Sequence, residues 1–195
     1  MDLDVSRQPS TGRCTPEELD LLEQLRAGDR AAFQALVRPH VASLLALGRR
    51  LTGDHQWAED LTQEALVRAF KGIGGFRGDA SLRTWLFRIL TRLASEPARW
   101  RRTDNASSIA EIDVPDHLGP SPLEPVMQRE LRDRLDEAME RLPPRQRAAL
   151  HLRAVEGLDY SSVAQALGCR QGAARMLVLA ARQSVLKRMG RYLAP

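Results

Sequence analysis

The sequence holds little of the chemistry that marks a metal, redox or disulfide-bonded protein. It has two cysteines, Cys14 and Cys169, with no second thiol near either, and four scattered histidines without ligand spacing. A disulfide framework and a zinc cluster therefore lack support, and we expect no bound metal. No Gly-rich phosphate cradle or nucleophile setting is present either. These absences argue against an enzyme, and no cofactor or small-molecule substrate is expected.

Long apolar runs are also absent. No stretch is long enough to cross a bilayer, and no apolar leader is followed by a small-residue cleavage site. We therefore expect a cytoplasmic protein without direct membrane insertion. No stretch alternates apolar and polar residues as a strand would, and no internal repeat is visible. The predicted fold class is all-α.

Charge is distributed unevenly along the chain. The formal net charge of +4 is modest. The segment 82–102 nevertheless carries six arginines against one acid, Glu96, whereas 14–29 leans acidic. Such an imbalance indicates separate faces for separate partners.

Composition divides the chain into two helical domains. Residues 1–16 are polar and offer no apolar face, so we expect a disordered tail. Residues 103–125 are rich in proline, serine and glycine and are typical of a flexible linker. The expected domains are therefore 17–102 and 126–195.

Helical periodicity places the elements within these domains. The first two helices are separated at Gly28-Asp29, with Asp29 expected to cap the second. The fifth helix is expected to begin after Asp79 or Ser81 and to bend before Pro97. Predicted helices cover 17–37, with that break, 41–51, 56–73, 82–102, 126–141 and 145–155, and a further pair begins at Tyr160.

The pair beginning at Tyr160 is typical of a helix-turn-helix. Asp159 can cap its first helix, Ala164 is small where two helices approach, and Gly168 suits the turn. The second helix is basic. A helical hairpin without DNA-binding function has the same outline, but the cap, alanine and glycine occur together at the offsets that DNA binding requires.

A second pattern lies in 57–90. An acidic-faced helix is followed by a glycine loop and a basic helix with aromatic side chains. Arginine and aromatic groups beside a flexible loop suit unpaired bases, which stack on rings or enter pockets. We expect Trp85 and Phe87 to be core residues, and the polar loop 76–81 to be functional.

The segments 58–64, 76–79, 84–89 and 142–147 resemble, in this order, the extracytoplasmic-function branch of the sigma-70 family. These proteins are promoter-recognition subunits of bacterial RNA polymerase. The resemblance covers about 17–189. It implies two domains, of the sigma-70 region 2 and region 4 types, and three partners: core polymerase, promoter DNA and an anti-sigma factor. Catalysis would belong to the polymerase.

The resemblance also implies site residues. Binding of the polymerase core is expected at Glu59, Asp60, Gln63, Glu64 and Arg68. Recognition and melting of the −10 element are expected at Phe76, Arg77, Asp79, Ser81, Arg88, Arg92, Arg99, Arg101 and Arg102. Recognition of the −35 element is expected at Tyr160, Ser161, Arg170, Gln171, Arg175 and Arg182.

The chain departs from the family pattern in its recognition helix. Met176, Leu177 and Leu179 stand where polar DNA-contacting groups are usual, and a helix apolar on nearly every face is expected to be buried. Two interpretations follow. Apolar side chains touch thymine methyl groups while arginines supply affinity, or the second domain faces a protein partner. In the second case the chain is a sigma-like adaptor or decoy that recognises no −35 element.

Overall fold

The computed structural model describes residues 14–96 and 126–193, with side chains of the second segment from 129 to 190. All regular elements in these residues are helices. The expected tail, the linker 103–125 and the expected bend at Pro97 lie outside them. The α-helices are α1 (Pro16–Arg26), α2 (Ala31–Val37), α3 (Val41–Thr52), α4 (His55–Gly72), α5 (Leu82–Ala94), α6 (Val126–Glu140), α7 (Pro144–Ala154), α8 (Tyr160–Leu167) and α9 (Gln171–Leu193).

Side-chain caps fix where several helices begin. In α1, the Thr15 hydroxyl accepts from the Glu18 amide at 3.2 Å, and the Glu18 carboxylate accepts from the Thr15 amide at 2.8 Å. At the starts of α4, α5 and α8, the side chains of Asp54, Ser81 and Asp159 each accept a hydrogen bond from a backbone amide of the first turn. Each cap satisfies an amide that has no partner within its helix.

The first bundle packs α3, α4 and α5 against one another, with α1 and α2 at one side. Gly48 lets α3 and α4 approach closely, since a Cβ there would lie 3.3 Å from the Ala58 carbonyl oxygen. The Phe33 ring of α2 packs edge-to-face against the Phe70 ring, with 5.1 Å between the ring centroids. Large side chains that are almost fully enclosed here are Phe33, Leu36, Leu44, Leu47, Leu61, Leu82, Leu86, Phe87, Leu90 and Leu93.

The second bundle is built around α9, which contacts α6, α7 and α8. Gly168 caps the end of α8 in the turn that precedes α9. Its φ of 60° lies in the left-handed region that favours glycine. The core-facing side of α9 is formed by Ala174, Val178, Ala181, Val185 and Met189.

The two bundles contact each other. Helix α5 packs along α8, and α3 packs against α7. The Thr91 hydroxyl donates to the Ala166 carbonyl at 2.6 Å, and Arg147 donates to the Arg50 carbonyl at 2.9 Å. The prediction of two helical domains is confirmed, while this contact was not foreseen from the sequence.

Several helix ends differ from the predicted ones. Asp29 does not occupy the N-cap position of α2, which is Arg30, although its carboxylate accepts from the Ala31 amide at 2.9 Å. Helix α5 ends at Ala94 rather than continuing to 102, because its last turn closes with Ser95 donating to Thr91. Among the described helices, none combines the length and apolarity needed to span a bilayer.

Truncation of the Phe33 side chain tests how much core packing stabilises the first bundle. Its ring is 1% exposed, so we expect Phe33→Ala to lower the free energy of unfolding by about 3–5 kcal/mol through lost burial and a cavity. Urea unfolding followed by circular dichroism measures this change. Leu19→Ala is the matched control, because Leu19 is 49% exposed, and it should cost less than about 0.5 kcal/mol. Equal losses in the two variants would contradict the packing.

Glu18 makes the stability of α1 depend on pH. Burial alone would raise the pKa of Glu18. Hydrogen bonds from His40 and the Thr15 amide together lower it by more than burial raises it, so the pKa of Glu18 lies below its ordinary value of 4.5. The ionised carboxylate therefore stabilises the fold above pH 4.5, and this contribution is lost as pH falls through the lowered pKa. We expect Glu18→Gln to flatten the fall in melting temperature between pH 6 and pH 3. Glu17→Gln, on the exposed side of the same turn, should retain the wild-type profile.

Candidate nucleic-acid interface

The expected polymerase-binding residues share the outer face of α4. The opposite face buries Ala58, Leu61, Ala65 and other apolar groups, so helical spacing directs the polar residues outward. Asp60 and Gln63 are exposed, whereas Glu59, Glu64 and Arg68 are partly covered. Glu64 accepts from Arg68 at 2.7 Å, and Glu59 pairs with His55 at 3.1 Å.

The side chains at both ends of the loop 76–81 are buried, which was not expected. Phe76 was expected to contact promoter bases, but its ring is only 5% exposed and lies 5.1 Å from the Trp85 ring. Ser81 is also buried, and its hydroxyl accepts from the Thr84 amide at 3.2 Å. Both side chains are therefore occupied in holding the loop on α5. Arg77 and Asp79 remain exposed between them.

A cavity of about 290 Å³ opens beside this loop. Arg88 of α5 is exposed and forms part of the lining, while Arg92 lies one turn further and pairs with Glu96 at 3.5 Å. Gln165 of α8 also lines the cavity, so the second bundle contributes to it. The remaining lining residues are Gly75, Phe76, Arg77, Asp79, Ala80 and Trp85.

The expected cluster of Arg99, Arg101 and Arg102 lies outside the described residues. Trp85 and Phe87 pack in the first bundle as predicted, with Phe87 fully enclosed and Trp85 partly covered.

The helix-turn-helix is formed by α8 and α9. The Tyr160 ring lies between two guanidinium groups, with Arg153 at 5.0 Å and Arg175 at 5.4 Å from its centroid. These cation–π contacts tie the start of α8 to α7 and α9. The other expected DNA-contacting residues, Ser161, Arg170, Gln171 and Arg182, are exposed.

The expectation that α9 is buried because it is apolar is wrong. Met176 is 63% exposed and Leu179 is 49% exposed, since only the face carrying Ala174 and Val178 meets the core. Leu177 is partly covered. The outer face of α9 thus presents arginines together with large apolar groups.

Sequence reasoning missed a group that lies where the bundles meet. Arg83 of α5 forms an ion pair with Glu156, which follows α7, and also donates to the Glu156 carbonyl at 3.1 Å. His151 contacts the same carboxylate at 3.1 Å. No local pattern marks these residues, because 73 positions separate Arg83 from Glu156. Within the ranges 14–96 and 126–193, no group of histidine, cysteine and acidic residues could hold a metal ion.

Comparison with known proteins agrees with this architecture. Residues 36–105 match Sigma-70 region 2, and residues 132–185 match Sigma-70, region 4. The RNA polymerase sigma-H factor of Pseudomonas aeruginosa is 34% identical over 88% of this chain and 93% of its own length. The ECF RNA polymerase sigma-E factor of Haemophilus influenzae is 30% identical over 85% of this chain and 91% of its own.

Solved structures show the same fold. The sigma factor RpoE of Bartonella quintana, in complex with the anti-sigma factor NepR, superposes with a TM-score of 0.61 at 25% identity, covering 81% of this chain and 96% of that one. CnrH in complex with the cytosolic domain of CnrY superposes with a TM-score of 0.65 at 22% identity, covering 90% of this chain and 98% of that one. The chain therefore belongs to the extracytoplasmic-function branch of the sigma-70 family, whose members bind core RNA polymerase and direct it to promoters.

Proposed function

We propose that this sigma factor docks on core polymerase through the outer face of α4, formed by Glu59, Asp60, Gln63, Glu64 and Arg68. The observation that carries the proposal is the division of α4 into a buried apolar face and an outer polar face with Asp60 and Gln63 exposed. Charged rim groups of this kind steer association and fix orientation. Binding there leaves the packing of α4 against α3 and α5 intact.

We propose that the loop 76–81 and α5 recognise and melt the −10 element. The cavity beside the loop, with Arg77, Asp79 and Arg88 on its lining, is of a kind that suits a base outside the stack. Arg88 and Arg92 would bind the neighbouring phosphates. Phe76 and Ser81 act by supporting the loop. Phosphate contacts by Arg99, Arg101 and Arg102 are proposed from the sequence pattern and stay a prediction.

We propose that the start of α9 recognises the −35 element. Gln171 and Arg175 lie in its first two turns, where a recognition helix contacts base edges. Arg182 lies two turns beyond and suits a phosphate contact, as do Ser161 and Arg170 beside the turn. Exposed Met176 and Leu179 offer apolar contacts to thymine methyl groups. This exposure beside two arginines favours a DNA-binding second domain over a decoy.

The proposal also covers the domain bounds, the compartment and the regulation of the chain. The proposed domains are 17–102 and 126–195, and neither performs a chemical reaction of its own. The proposed compartment is the cytoplasm, since its partner polymerase and promoter DNA are there. Control by an anti-sigma factor is proposed because the similar RpoE of Bartonella quintana was solved with one.

Reconstituted transcription tests the function. The purified chain and core polymerase are incubated with a library of genomic fragments, and transcript 5′ ends are mapped by sequencing. We expect start sites that share an upstream motif and that disappear when the chain is left out. Core binding without any specific start site would instead support an adaptor or decoy.

Charge reversal at Asp60 tests the docking face. We expect Asp60→Arg to weaken binding to core polymerase about tenfold or more, equivalent to about 1.4 kcal/mol, because it reverses an exposed charge on the proposed contact. Fluorescence anisotropy of the labelled chain measures the affinity. Glu23→Arg is the matched control, since Glu23 is exposed on α1, and it should bind like the wild type. Equal losses for both variants would reject α4 as the docking face.

Substitution of Arg175 tests the recognition helix. We expect Arg175→Ala to weaken binding of the holoenzyme to a mapped promoter about tenfold, the scale of one good base or phosphate contact. The control is Arg141→Ala, which removes an exposed arginine paired with Glu137 on α6. Footprints at increasing salt give affinity and salt slope. If the two variants behave alike, α9 does not bind the −35 element.

A further inference from the structure

Tyr160 stands at the start of the helix-turn-helix, and the −35 contacts proposed above give it no role. It is the first residue of α8, directly after the capping Asp159, whose carboxylate accepts from the Ser162 amide at 2.7 Å. The Tyr160 ring is partly covered and packs against the hydrophobic core. The cap and this packing together fix the position of the ring at the beginning of α8.

One of the two guanidinium groups on the Tyr160 ring is anchored to the backbone. The guanidinium carbon of Arg153 of α7 lies 5.0 Å from the ring centroid. The same guanidinium donates to the Leu158 carbonyl at 2.8 Å, and Leu158 is fully buried in the turn that joins α7 to α8. Arg153 is therefore held by the fold, and its contact with Tyr160 joins the ring to that turn.

The other guanidinium group, that of Arg175 of α9, has no such anchor. Its carbon lies 5.4 Å from the Tyr160 centroid, and the Arg175 side chain is exposed. Within the part of the chain that the structure describes, no hydrogen bond or ion pair holds this guanidinium. The cation–π contact with Tyr160 is therefore the interaction that orients Arg175.

A contact of this kind prepares an arginine for DNA in two ways. A free arginine side chain has many rotamers, and ordering it on binding costs free energy that a side chain already oriented does not lose again. The contact is made with the π system of the ring, so it uses none of the guanidinium N–H donors. Those donors stay available to base edges and phosphate oxygens. The ring thus orients Arg175 without competing with DNA for its hydrogen bonds.

We propose that Tyr160 is a positioning residue for −35 recognition, which holds Arg175 in its DNA-binding orientation and does not contact DNA itself. The family resemblance placed Tyr160 among the DNA-contacting residues, whereas its partial burial and its two cationic neighbours favour the indirect role. The inference rests on the proposed function of α9. The contact between Tyr160 and Arg175 is a property of the fold and is tested separately.

Nuclear magnetic resonance of the free chain tests the contact without DNA. The ring current shifts a group above an aromatic face upfield, so the side-chain signals of Arg175 report its contact with Tyr160. These signals are assigned by their loss in Arg175→Ala. We expect them upfield-shifted in the wild type and in Tyr160→Phe, which keeps the ring, and unshifted in Tyr160→Leu, which keeps an apolar side chain against the core. Identical Arg175 signals in all three proteins would overturn the contact.

Promoter binding by the holoenzyme tests what the contact does. We expect Tyr160→Leu to weaken binding to a mapped promoter about threefold, the effect of one exposed cation–π contact, and Tyr160→Phe to retain wild-type affinity. The double variant Tyr160→Leu/Arg175→Ala should bind within about twofold of Arg175→Ala alone, because the ring acts only through Arg175. Leu135→Ala is the control, since it shortens an exposed side chain of α6, and it should bind like the wild type.

The outcomes separate this inference from the function assigned to α9. A double variant about threefold weaker than Arg175→Ala would make Tyr160 an independent contact and overturn the positioning role. Equal losses in Tyr160→Phe and Tyr160→Leu would overturn it as well, because the ring would then not be the group that matters. Upfield-shifted Arg175 signals together with wild-type binding by Arg175→Ala would instead reject α9 as the −35 helix while the contact stands.

Discussion

Helix α5 is the element on which the rest of the structure depends, because it serves both bundles at once. Its apolar face, with Leu86 and Phe87, completes the core of the first bundle. Its other sides present Arg83 and Thr91 to the second bundle and Arg88 to the cavity beside the loop. One amphipathic helix thus couples the stability of the fold, the contact between the bundles and the surface assigned to DNA.

The contact between the bundles combines apolar packing with directional polar groups. Buried apolar side chains of both bundles belong to one hydrophobic cluster. The polar part of the contact is formed by Glu156, Arg83 and the Ala166 carbonyl. Buried ion pairs add specificity of arrangement more than net stability.

Sequence reasoning succeeded where structure is local. The cap at Asp159 and the spacing on α4 depend on residues within one or two turns, so the helix-turn-helix and the outer polar face followed from the sequence. The burial of Phe76 was not foreseen, because it depends on packing against α5, which a polar loop sequence does not reveal. Met176 was misjudged because composition does not say which face of a helix meets the core. The Arg83–Glu156 pair has no local signature at all.

The central claim is that α4 faces the polymerase while α9 faces DNA in one promoter complex. Site-specific photo-crosslinking tests it most directly, with a photoreactive amino acid at Gln63 in one variant and at Gln171 in another. The account predicts that Gln63 crosslinks to core polymerase and that Gln171 crosslinks to DNA near −35. Crosslinks from Gln63 to DNA, or from Gln171 to protein alone, would contradict it.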